Sequence, residues 1–145
     1  MKRSKRLTIV SKVMRDREDK VAQILQKAQG AMLLQLRRLE QLEEYRLEYE
    51  QRFLAAGGQG VEAQKLLDFR AFMESLGQAI GRQKQIVERH KADYEARKRQ
   101  WLAAHSKSDA VAGVVASAKH VEEAAAERKN QRDIDDRAAR ESTKK

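Results

Sequence analysis

Two runs of apolar residues at helical spacing, separated by a cluster of glycines, constrain this fold more than any other feature. Before the cluster the apolar positions are Leu39, Leu42, Tyr45, Tyr49 and Phe53, and after it they are Leu66, Phe69, Phe72, Met73, Leu76 and Ile80. Steps of three and four residues place such positions on one face of a helix. The glycines at 57, 58 and 60 tolerate the backbone conformation that ends a helix. The pattern predicts a helical hairpin that bends at these glycines.

The composition favours long helices over a layered globule. Of the 145 residues, 37% are charged and 5% aromatic, a balance typical of coiled coils. Proline, which removes a backbone donor and breaks helices, is absent. We therefore expect an all-α fold, a long antiparallel two-helix coiled-coil hairpin, as a single elongated domain over residues 1–145. The expected parts are helix one at about 8–55, a turn at 56–61, helix two at about 62–128 and a frayed tail at 129–145.

Each helix carries a seam, the line of residues that packs on the other helix. A three-four alternation sustained over many turns is the coiled-coil signature. In helix one the predicted seam is Val10, Met14, Arg17, Val21, Leu25, Ala28, Met32, Gln35, Leu39, Leu42, Arg46, Tyr49 and Phe53. In helix two it is Phe69, Met73, Leu76, Ile80, Gln83, Val87, His90, Tyr94, Arg97, Trp101, Ala104, Ser108, Val111, Val115 and Ala118.

Folding the chain at the glycines aligns the two seams so that facing residue numbers sum to about 118. This register pairs Tyr49 with Phe69, and it stacks Gln35 on Gln83 as a polar layer that holds the alignment. It also places Arg17 beside Trp101. Helix one would then run out near position 107, so we expect the alanine- and valine-rich stretch after it to lack a partner within the chain.

Several classes of protein are disfavoured. There is no cysteine, which excludes disulfides and cysteine-ligated metals. The longest apolar runs are far shorter than the roughly 20 residues that span a bilayer. The basic start lacks the apolar middle of a signal peptide. We expect a cytoplasmic protein.

Catalysis finds no support in the sequence. His90, His105 and His120 are spaced fifteen residues apart along one helix and cannot converge on a metal. Phosphate-binding and nucleophile motifs are lacking. We expect no catalytic residue, no metal, no cofactor and no enzymatic activity.

The positive charge is concentrated at the amino end. The net charge is +9, and residues 1–20 contain eight Lys/Arg against three Asp/Glu. A nucleic-acid binder would show a basic stripe with interleaved aromatic residues, so we expect no nucleic-acid partner. The basic end suits an acidic protein surface, an anionic membrane surface or simple solubility.

Apolar residues near the bend exceed what one seam needs. Tyr45, Phe72 and Ala79 lie beside the seam, and exposed apolar patches of this kind mark partner sites. Local thickening of the seam and a dimer contact are the alternatives.

The same region resembles the FliJ family, the coiled-coil component of the bacterial flagellar type III export apparatus. The resemblance lies in QLEEYRLEYEQRF at 41–53, Gly60 and FRAFMESLGQAIGRQ at 69–83, with support from residues 6–29 and Trp101. It implies a non-catalytic protein similar in shape to the central stalk of rotary ATPases, which links the hexameric export ATPase to the membrane export gate and escorts export chaperones.

The resemblance also assigns residues to partners. The surface for the cytoplasmic domain of the gate protein falls on Leu42, Tyr45, Tyr49, Phe72, Leu76 and Ala79, with Gln83 at its edge. Contact with the ATPase ring falls on Leu7, Val10, Met14, Val21, Trp101, Val111 and Val115. It implies peripheral association with the cytoplasmic face of the inner membrane at the flagellar base, through partners only.

Three other interpretations stay open at this point. The equivalent stalk of a virulence type III secretion system predicts the same hairpin. A nucleic-acid-binding coiled coil would lose affinity steeply with salt. A plain structural coiled coil would be dimeric.

Overall fold

The computed structural model describes residues 2–57 and 62–143, and nearly all of them are helical. Helix α1 spans Arg3–Gly57 and helix α2 spans Ala63–Thr143. The two helices pack against each other as a two-helix coiled-coil hairpin, which confirms the predicted fold class. The predicted turn falls mainly on residues 58–61, which lie outside the described part of the chain.

Both helices extend beyond the bounds expected from the sequence. Helix α1 begins at Arg3 instead of near position 8, and α2 continues to Thr143 where a frayed tail was expected. All residues from 125 to 143 are exposed, so local preference maintains this part of α2 without tertiary packing. Good helix formers, the Gln131–Asp135 hydrogen bond one turn apart and Arg140 in the last turn, where a cation suits the helix dipole, all favour it.

Contacts within the hairpin divide the chain into two compact units. The bend unit comprises Ala22–Gln100, and the terminal unit comprises Met1–Val21 with Trp101–Lys145.

The core of the bend unit is a narrow line of apolar side chains. Its most buried members are Val87 at 2% exposure, Ile80 at 5%, Leu76 at 7% and Ala28 at 8%. All four are seam positions predicted from the sequence. The predicted register is also confirmed here, because Tyr49 stacks on Phe69 and Gln83 binds Gln35.

In the terminal unit, the seam on α1 differs from the one expected. On α1 the buried positions are Ser4 and Ser11, and Glu18 is half-buried, whereas Val10 is 40% exposed and Arg17 is exposed. Ser4 contacts Glu122, and Glu18 contacts His105. The pairing on α2 is therefore displaced by about five to eight residues from the predicted register.

Because of the displaced pairing, residues of α2 beyond position 107 pack on α1, which the sequence did not predict. Ser108, Val115 and Ala118 are buried, at 5%, 9% and 9% exposure. The expectation that residues beyond position 107 lack a partner within the chain was wrong. The physical reason is that α1 starts earlier and pairs further along α2 than an apolar pattern alone indicates.

Candidate functional site

Five aromatic rings from both helices form a cluster near the bend. Phe53 stacks on Phe69 at a centroid distance of 3.8 Å, and the ring of Tyr49 lies 4.4 Å from that of Phe72. Tyr45 meets Phe72 edge-on at 6.0 Å. Such pairs stabilise beyond the area they bury, by about 0.5–1.5 kcal/mol each. Because the rings pack on one another, each one is held in a defined position on the bend unit.

The residues predicted to bind the export gate divide into an accessible and a buried group. Tyr45 is 46% exposed, and Leu42, Tyr49, Phe72 and Ala79 are half-buried. Leu76 and Gln83 are buried in the seam, at 7% and 9% exposure. Of the predicted residues, the two tyrosines, Phe72, Leu42 and Ala79 are therefore accessible at least in part, whereas Leu76 and Gln83 belong to the buried seam.

Gln83 is held by a specific polar contact. Its side-chain Nε2 donates to the backbone carbonyl of Gln35 at 3.0 Å and to the side-chain Oε1 of Gln35 at 2.9 Å. A buried amide with two acceptors is satisfied, and it opposes slippage because a shift of either helix would leave it without them.

The residues predicted to contact the ATPase ring all lie in the terminal unit. Val10 is exposed, and Leu7, Met14, Val21, Trp101 and Val111 are half-buried. Val115 is buried, at 9% exposure.

Other exposed apolar side chains of the terminal unit were not predicted, because they lie off the predicted seam. They are Ile9, Val13, Leu102, Val114, Val121 and Ile134. Val114 and Val121 line an open groove of about 660 Å³ on α2, together with Gly113 and the side chain of Arg3.

A carboxylate from α2 caps the first turn of α1. The backbone N–H of Ser4 donates to Oε1 of Glu122 at 3.1 Å, and the Ser4 hydroxyl donates to Oε2. The first turn of α1 contains no acidic residue of its own. Glu122 therefore supplies the negative charge that a helix amino terminus favours. These hydrogen bonds, first from the hydroxyl and then from the backbone, lower the pKa of Glu122 from its ordinary value.

We expect Glu122→Ala to loosen the first turn of α1 without unfolding the hairpin. The loss resembles removal of an N-cap, because the first backbone N–H groups of α1 lose an acceptor. Amide hydrogen exchange of residues 4–8 should accelerate, and Glu123→Ala, an exposed neighbour, is the matched control. Because the pKa of Glu122 is lowered, the cap should act above pH 4.5 and weaken as pH falls through the folded-state pKa. Equal acceleration in both variants would contradict the cap.

His105 connects the two helices in the same unit. Its Nδ1 lies 2.6 Å from Oε1 of Glu18, and its Nε2 lies 3.4 Å from Oδ2 of Asp109. Its ring stacks on Trp101 at 5.1 Å. These contacts were not predicted from the sequence. The available signal was the heptad spacing of Ser4, Ser11 and Glu18, which places the three residues on one face of α1.

The described residues show neither a metal site nor a membrane span. No group of three or more His, Asp and Glu side chains within residues 2–57 and 62–143 is arranged to hold a metal ion. Over the same ranges, neither helix contains a segment long and apolar enough to cross a bilayer.

Comparison with known proteins identifies one family. No curated protein and no solved structure matches the chain. The family model described as Flagellar FliJ protein matches residues 3–145, nearly the whole chain. The chain therefore belongs to the FliJ family and is a component of the flagellar protein export apparatus.

Proposed function

We propose that this protein acts without catalysis as a connector of the flagellar export apparatus. Its bend unit binds the cytoplasmic domain of the export gate protein, and its terminal unit binds the hexameric export ATPase. It also escorts export chaperones, and these partners hold it at the cytoplasmic face of the inner membrane. No nucleic acid takes part.

The observation that carries this proposal is the partly open aromatic surface of the bend unit. A two-helix hairpin buries one stripe per helix, yet Tyr45 is 46% exposed while its ring touches Phe72 on the other helix. Rigid, preassembled aromatic rings are effective binding anchors because little side-chain freedom is lost on association.

The terminal unit supports the proposal through a different set of residues. Val10, Val114 and Val121 expose apolar side chains, and Lys2, Arg3, Lys5 and Arg6 place positive charge at the start of α1. An acidic partner surface would find charge complementarity here, which steers association. Each unit thus offers its own surface, as a protein with two partners requires.

A paired binding experiment tests the division of partners. Val10→Asp in the full chain should reduce co-purification of the export ATPase several-fold, because it places a charge within an apolar contact, and should leave recovery of the gate domain unchanged. Leu33→Asp, at a 51% exposed position in the bend unit, is the control for added charge. If Val10→Asp and Trp101→Ala both leave ATPase recovery intact, the terminal unit is not the ATPase-binding part. If Val10→Asp lowers the recovery of both the export ATPase and the gate domain, circular dichroism should show whether helicity was lost. If helicity is intact, the two partners do not bind separate surfaces.

A further inference from the structure

Both ring nitrogens of His105 face carboxylates. Glu18 of α1 contacts Nδ1 at 2.6 Å, and Asp109, one turn further along α2, contacts Nε2 at 3.4 Å. A neutral imidazole has one N–H, whereas the protonated ring has two. Only the charged ring can donate to both carboxylates at once. Loss of either proton leaves one carboxylate facing a lone pair.

The other groups around the ring favour the same state. Trp101 stacks on the imidazole with the ring planes 13° apart, an arrangement that suits a cation on an aromatic face. On α1, the Glu18 carboxylate also accepts a hydrogen bond from Ser108 and lies in the field of Arg15. The charged groups that face the ring are thus Glu18, with Arg15 behind it, from α1, and Asp109 from α2. Of these groups, the two carboxylates contact the ring directly, whereas Arg15 acts on Glu18.

We propose that His105 is a proton-operated clasp between α1 and α2 of the terminal unit. With two ring protons it joins Glu18 to Asp109 and holds the helices together. With one proton the ring releases Asp109 and keeps only a neutral hydrogen bond to Glu18, which is weaker than the charge-assisted contact and so loosens the pairing of α1 with α2. This device is separate from the choice of partner, and it makes the packing of the terminal unit depend on pH.

The direction of the pH effect follows from the pKa shifts of His105 and Glu18. The hydrogen bond with Glu18 and then the charge of Asp109 raise the pKa of His105 above 6.5. Its contribution is complete below 6.5 and is lost as pH rises through the higher folded-state pKa. The hydrogen bond from His105, and then that from Ser108, lower the pKa of Glu18 below 4.5, so Glu18 stays charged across this range. The clasp is therefore fully closed between pH 4.5 and 6.5, and it opens as pH rises through the folded-state pKa of His105.

Nuclear magnetic resonance of the full chain tests the proton directly. The imidazole of His105 should titrate above the ordinary histidine value of 6.5. Glu18→Gln should move the His105 midpoint toward 6.5. Fluorescence of Trp101, the one tryptophan of the chain, should follow the His105 midpoint, and His105→Gln should abolish that step. A His105 midpoint at or below 6.5 overturns the proposal.

A distance measurement tests the clasp itself. The chain has no cysteine, so Lys12→Cys with Ala116→Cys places two spin labels on exposed positions of the terminal unit. The distance distribution should be narrow below the His105 midpoint found by magnetic resonance and broader above it. Glu18→Gln, which removes the carboxylate charge, should reduce this difference, whereas His120→Gln should behave as the parent. A parent distribution that is the same on both sides of the midpoint means that the proton does not control the pairing.

Discussion

Replacing Val87 by aspartate should separate the two helices of the bend unit. Val87 is the least exposed apolar residue of the core, at 2%, and it follows Ile80 by two turns on the seam of α2. A carboxylate there would be removed from water within an apolar core. The cost of such burial is about 3 kcal/mol or more. That is a large part of the 5–15 kcal/mol by which proteins are typically stable.

Urea unfolding followed by far-ultraviolet circular dichroism would measure this effect. The midpoint should fall sharply for Val87→Asp, and Leu33→Asp should stay within about 0.5 kcal/mol of the parent because that position is 51% exposed. Both variants add the same charge to the same unit, so burial alone separates them. A narrow seam has few other contacts to compensate. Equal midpoints for the two variants would mean that the seam does not stabilise the hairpin.

The sequence predicted the bend unit well because its seam is apolar and aromatic. Burial of Leu76, Ile80 and Val87 follows from their spacing, and the Gln35–Gln83 contact follows from the register that the spacing implies. Large side chains at steps of three and four have one arrangement that buries them all. Periodicity is then sufficient to fix both the face and the alignment.

The terminal unit was predicted less well because its seam on α1 is small and polar. Ser4, Ser11 and Glu18 recur at heptad spacing, but a search for apolar residues selected Val10 and Arg17, which are exposed. Serines let helices approach closely, and a carboxylate is tolerated in a seam once His105 pairs with it. Those pairs depend on the tertiary register, which local periodicity cannot supply. The early start of α1 was missed for the same reason, since its cap comes from Glu122, more than a hundred residues away.

Removing the rings of Tyr45 and Phe72 should produce the largest loss of binding to the export gate domain. The two rings meet edge-on at 6.0 Å, and Tyr45 is 46% exposed. Truncation of a central aromatic anchor commonly costs at least 2 kcal/mol, a factor of about 30 in affinity. Because the rings touch, the double variant should lose less than the sum of the two single losses.

The structure provides matched controls for this prediction. Leu47→Ala removes an apolar side chain from the same helix, two residues further on and 56% exposed, but outside the aromatic cluster. Titration calorimetry with the gate domain should show near-parental affinity for Leu47→Ala and for Tyr45→Phe, which keeps the ring. Tyr45→Ala and Phe72→Ala should bind weakly while their helicity stays near that of the parent, because neither side chain is fully buried. If Leu47→Ala weakens binding as much as Tyr45→Ala does, recognition is not centred on the aromatic rings, and the proposed gate-binding surface is wrong.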